Sequence, residues 1–204
     1  MKKQAITLGR VGILLPIIAI IPFIGTLASV AALVLLLISH YNFSKVYEKV
    51  SIFNNMLTGA IIQILGSAIG MVLLGIALGK AVFSLQENSF DFQHYKELIF
   101  ESGLAIIGAI VLWAGLIIGM YFIYQGLKNL AEKSEVHLFK TAGLLYFIGA
   151  IASIILIGGL VIFVGWIVHI IAYFTIQTEP KTQVESAESQ PDTSEGSDTP
   201  QQKE

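Results

Sequence analysis

The chain has 204 residues, 55% of them hydrophobic and only 13% charged, and its mean hydropathy is +0.77. So few charges cannot coat a soluble surface, and the composition describes an integral membrane protein. The absence of cysteine excludes a disulfide scaffold and thiolate-held metal, and a formal charge of -2 disfavours a broad basic surface for nucleic acid.

A helix needs about 20 residues to cross a hydrocarbon core about 30 Å thick. Four apolar stretches reach that length: Val11 to Ser39, Thr58 to Leu85, Gly103 to Gly126, and Thr141 to Ile176. The first is too long for one span, and Pro22-Phe23-Ile24-Gly25 interrupts it, since proline lacks an amide donor and glycine readily turns. Helices over Gln4 to Ile21 and Gly25 to Asn42 are expected. Lys2-Lys3, the apolar run and Ser29-Val30-Ala31 together imitate a cleaved signal, but the run continues to Ser39, which suits a retained helix.

After it, Val46, Val50, Phe53 and Leu57 recur at helical spacing with lysines off the stripe, so Ser44 to Leu57 is expected to lie along the headgroups. In the second stretch Gly59, Gly66 and Gly70 share one face and Gly75 and Gly79 the opposite one, which suggests neighbours on two sides. The next loop, Gln86 to Ser102, is acidic. If helical, it would align Glu87, Asp91, His94 and Glu101 as cation ligands, but a solvated loop is the plainer reading and no metal site is assigned. In the third stretch Gly108, Gly115, Gly119 and Gly126 stay within about 20° of one line at 100° per residue, a packing face.

Lys128 and Glu132, four residues apart, can pair in the following loop. That loop and the earlier one each carry Glu-Lys and then an aliphatic-Phe pair, Ile52-Phe53 and Leu138-Phe139, as an internal repeat would, but the offsets differ and no repeat is assigned. In the last stretch Gly158-Gly159 separates Thr141 to Ile157 from Leu160 to Gln177. Trp113, Trp166, Tyr121, Tyr124 and Tyr173 lie towards span ends, where aromatic belts form. Thr178 to Glu204 holds seven acids, two lysines and no aromatic residue, so it is expected to be a disordered tail.

The number of crossings follows from the lysines, which in short loops favour the cytoplasmic side. Four spans divide the cations almost evenly, whereas six leave only Lys80 and Lys96 outside. About six short spans are therefore expected, with four or five open and with the N-terminus and acidic tail cytoplasmic. Polar groups inside a membrane are functional candidates by default. His169, near the middle of its span, and Gln63 are the two that stand out, each able to serve a proton or substrate path or simply to bond a neighbouring helix. No Gly-x-Ser-x-Gly, His-Glu-x-x-His or Gly-x-x-x-x-Gly-Lys-Ser/Thr pattern occurs.

The segments LKNLAEKSEVHLFKTAGLLYFIGAIASIIL (Leu127 to Leu156) and SIFNNMLTGAIIQILG (Ser51 to Gly66), with the Pro-Phe-Ile-Gly break, resemble a family of uncharacterised prokaryotic integral membrane proteins, domain of unknown function 996. The resemblance implies a membrane location and supplies no active-site residues. The expectation is an all-α polytopic transmembrane helical bundle over residues 1–177 and an acidic cytoplasmic tail over 178–204. Its expected role is a non-enzymatic structural or accessory component of the cell membrane without cofactor. Its partners would be the lipid bilayer and a second copy or another membrane protein, not nucleic acid. The alternative is a small transporter or channel for an ion or small solute.

Overall fold

The computed structural model describes the backbone of residues 1–20, 24–84, 92–155 and 157–177, and side chains for 1–18, 24–79, 103–155 and 157–177. Pro22 and Phe23, Glu87 and Asp91, the side chains of His94 and Glu101, and the tail from Thr178 lie outside the described residues. Every regular element among those described is helical. Six α-helices follow in order: α1 Lys2–Leu14, α2 Ile24–Val46, α3 Ser51–Ser84, α4 Phe92–Ser134, α5 Leu138–Ala152 and α6 Ile157–Thr175. Five of them, α2 to α6, include segments long and apolar enough to cross a membrane. Helix α1 has 13 residues and continues as a 3-10 turn over Leu15–Ile20. Pro16, which cannot donate to the carbonyl four residues back, sits where the helix tightens. With about 1.5 Å per α residue and 2.0 Å per 3-10 residue, the pair extends about 31 Å, the thickness of a hydrocarbon core.

The helices pair as three antiparallel hairpins, α1 with α2, α3 with α4 and α5 with α6. Contacts of α2 on α3, α4 on α5 and α6 on α1 close them into a ring. The core lies at one end of that ring, where Ile6 of α1, Phe43 of α2, Ile52 of α3, Leu127 of α4, Phe139 of α5 and Tyr173 of α6 are buried together. The chain start, the α2–α3 and α4–α5 turns and Gln177 all gather at this loop end. All the basic residues before Gln177 lie on its side except Lys80 and Lys96.

The short turns replace what the sequence presents as interfacial segments. Residues 44–57 are not one in-plane helix: α2 runs to Val46, Glu48 takes a left-handed φ of 51°, and α3 starts at Ser51. The stripe that suggested a membrane-surface helix is split across the turn, with Val50 exposed and Phe53 edge-on to Tyr41 at 5.3 Å. Likewise α4 continues to Ser134, Glu135 has a φ of 61°, and α5 starts at Leu138. Glu132 pairs with Lys49 of the other turn at 2.9 Å, across the ring, in place of a bond along its own helix to Lys128. Asn129 adds a second tie, its Nδ2 donating to Ser51 Oγ at 3.2 Å.

Two boundaries also differ from expectation. Residues 92–102, read as part of an outer loop, are the first turns of α4. The last stretch breaks at a 3-10 turn over Ser153–Ile155, so Gly158 and Gly159 belong to the first turn of α6. Ser153 competes for the helix by donating its hydroxyl to Ala150 O at 2.7 Å. Gly158 then fits against the backbone of Gly149 and Ser153, so it closes the hairpin and does not itself break the helix.

Candidate functional site

Within the loop-end core lies a polar cluster from three helices. Helix α2 supplies Ser39 and His40, α5 supplies Tyr146, and α6 supplies His169 and Tyr173, one turn apart. All five are buried. Buried polar groups need partners, so their bonds can be assigned one by one. Ser39 donates its single proton to the Ala5 carbonyl at 2.7 Å, so the Tyr173 hydroxyl, 3.3 Å away, donates to Ser39 Oγ. His40 Nδ1 lies 2.7 Å from the Leu36 carbonyl, which only accepts, so Nδ1 carries the hydrogen and the neutral ring has its lone pair on Nε2. His169 Nδ1 and the Tyr146 hydroxyl are 3.2 Å apart. The Nε2 atoms of both histidines are buried without a hydrogen-bond partner.

Tyr173 joins the cluster into one unit. Its ring stacks on His169 at 5.2 Å, meets Phe139 edge-on at 5.2 Å and meets His40 edge-on at 6.4 Å. Gly9 of α1 abuts the same ring so closely that any side chain there would collide with it. Arg10 Nε donates to the Tyr173 carbonyl at 3.0 Å, and its guanidinium lies 4.9 Å over the Phe174 ring. Such an array of two imidazoles, two phenols and a hydroxyl can hold a proton or a small polar molecule. Among the described residues no three His, Cys, Asp or Glu side chains converge as metal ligands would.

His169 lies about 4.5 Å past the midpoint of α6, towards the loop end. Gln63 is far from it in the fold, lying across Gly119 in the α3/α4 hairpin, where its Nε2 is buried without a partner. The two polar candidates of the sequence are thus not brought together. His40, Ser39 and Tyr173 join His169 instead. Sequence reasoning closes the first apolar stretch at Ser39 and so passes over His40, though an adjacent Ser-His at the end of a span was the available signal.

The glycines of α4 line the α3/α4 interface. A Cβ on Gly115 would stand 2.9 Å from Gly66 Cα, and Gly108 faces the Gly70 carbonyl at 3.1 Å. Gly119 faces the Gly59 carbonyl at 3.0 Å, and Gly126 faces Met56 Cγ at 2.8 Å. Gly75 and Gly79, read as a second packing face, meet nothing within 4 Å among the described residues. The indoles clamp neighbouring helices: Trp113 Nε1 donates to Ala150 O at 3.1 Å and Trp166 Nε1 to Ile13 O at 3.0 Å.

The chain is 28% identical over 181 residues to an uncharacterized protein of Methanocaldococcus jannaschii, which covers 89% of this chain and 96% of the relative. No solved structure matches it. Residues 28–167 match the family described as protein of unknown function, DUF996, the family that the segments at 51–66 and 127–156 resemble. As the match takes in more than half of the sequence, the chain belongs to the DUF996 family.

Proposed function

We propose that the protein is an integral component of the cell membrane, with the loop end cytoplasmic, and that it acts by packing its helices against a second copy or another membrane protein. The α3/α4 hairpin carries this reading. Its helices have 34 and 43 residues, about 50 and 65 Å long, and they outreach the neighbouring hairpins. The outward sides expose Ile69, Met71, Val72, Ile76, Ile106 and Ile110, and the open pair Gly75 and Gly79 would let a further helix approach closely. The experiment is sedimentation of the detergent-solubilised chain: Gly75→Leu, whose added side chain meets no described residue of the protomer, should weaken association while leaving the melting temperature unchanged. Undiminished association of that variant removes the reading.

A second reading rests on a different observation, the unpaired Nε2 atoms of His40 and His169. Buried imidazole nitrogens without partners suit a path on which a proton or small solute is a passing occupant. On this reading proteoliposomes show a flux that His169→Gln abolishes, and an intact flux in that variant sinks it. The first reading is preferred because the cluster is sealed by aromatic contacts on the sides described above.

A further inference from the structure

We propose that the acidic segment Glu185 to Asp198 of the chain's own tail docks on a lysine-rich face formed by the two turns at the loop end of the ring. The inference goes beyond the reading above and holds whichever side of a membrane that end faces. The α2–α3 turn contributes Lys45 and Lys49 to the face, and the α4–α5 turn contributes Lys128, Lys133 and Lys140. The acids among them are Glu48, Glu132 and Glu135, so the face carries five lysines for three glutamates. Glu132 ties the turns together through its 2.9 Å bond to Lys49 and also feels the charges of Lys128 and Lys140. One carboxylate is thus shared by three lysines, from the α2–α3 turn, α4 and α5, and the cations are in surplus. Lys45, Lys133 and Lys140 are exposed.

Charge and reach identify the occupant. Between Glu185 and Asp198 the sequence holds five acids, Glu185, Glu188, Asp192, Glu195 and Asp198, and no lysine or arginine. The tail leaves the fold beside the face: Phe139, next to Lys140, meets the Tyr173 ring at 5.2 Å, and Gln177 follows Tyr173 by four residues. A chain covers at most about 3.5 Å per residue, so Glu185, eight residues past Gln177, reaches up to about 28 Å and Asp198 further still. Packed helix axes stand about 8–10 Å apart, which puts Lys140 on α5 one helix from the end of α6 and Lys128 on α4 two, both within that reach. A single exposed ion pair contributes little and salt screens it, so the contact rests on several carboxylates meeting several lysines at once. An anionic leaflet at the same end would repel the tail and attract the lysines, which makes lipid headgroups the competitor for the face.

Carbodiimide coupling joins only carboxylates and amines already in contact, and it tests the docking on the full chain in dodecyl maltoside at low salt. Mass spectrometry of the monomer should find amide links from the lysines of the two turns to the acids of 185–198. Sodium chloride at about 0.5 M, which screens charges beyond about 4 Å, should lower those links about fivefold. Replacing the five acids together, as Glu185→Gln, Glu188→Gln, Asp192→Asn, Glu195→Gln and Asp198→Asn, should speed acetylation of Lys140 several-fold with the helical circular dichroism unchanged. An absence of links, links confined to Lys2 and Lys3, or links indifferent to salt overturn the face as the tail's site. Links found only between two copies overturn the chain's own tail as the occupant. In nanodiscs, links that form in phosphatidylcholine and vanish in phosphatidylglycerol give the face to lipid headgroups and overturn the proposal; links that persist in both support it.

Discussion

Glu48 and Glu135 hold the two tight turns at φ values of 51° and 61°, where a side chain crowds its own backbone and glycine does not. The Glu135→Gly variant should therefore be as stable as the parent or more so by about 1 kcal/mol, measured by thermal melting in detergent. The same substitution reaches Tyr47. Burial, and then the negative charge of Glu135, push its phenol above the ordinary 10.0. A raised folded pKa means stability that is full below the unfolded value and lost as pH rises from there through the folded one. Phenolate absorbance should show Tyr47 ionising earlier in Glu135→Gly than in the parent, and the alkaline loss of stability should shrink. An unchanged titration would mean that burial accounts for the whole shift.

Each hairpin is joined by contacts that forbid larger residues. Gly66 and Gly115 meet glycine to glycine in the α3/α4 pair: a Cβ on Gly66 would stand 2.8 Å from Gly115 Cα, where only backbone could give way. Gly115→Leu should wedge them apart at a cost of about 1–3 kcal/mol, read as a lower melting temperature. Gly75→Leu is the counterpart with no such cost, so the two variants separate packing inside the protomer from packing outside it. This interface was legible because seven-four-seven spacing fixes one helix face whatever the partner. The break before α6 was less legible. A glycine pair marks conformational freedom, yet it was Ser153, bonding to Ala150, that stands in the turn, while Gly158 serves close approach. Turn chemistry at Glu48 and Glu135 was hidden for a related reason, since a left-handed glutamate has no compositional mark.

Three hairpins closed at one end place both described termini, two turns and most of the basic residues on the same side, an arrangement that follows from an even number of antiparallel helices. The loop-by-loop distribution of lysines, a property of sequence alone, pointed to six helices, and six are found, five of them long and apolar enough to cross a membrane. Which buried residues meet at the ring's centre was not legible, because Ser39 and Tyr173 lie 134 positions apart and helical periodicity gives a face without naming its partner. The topology has a direct test, made clean by the absence of native cysteine. Single substitutions Lys133→Cys, at the exposed end of α4, and Ser194→Cys, in the tail, should both resist an impermeant thiol reagent in intact cells and react in inside-out vesicles. If α5 and α6 formed one crossing, Ser194→Cys alone would react in intact cells while Lys133→Cys stayed protected. That result would open the last hairpin and move Arg10's partner, the Tyr173 carbonyl, to the far side of the membrane, dismantling the polar cluster.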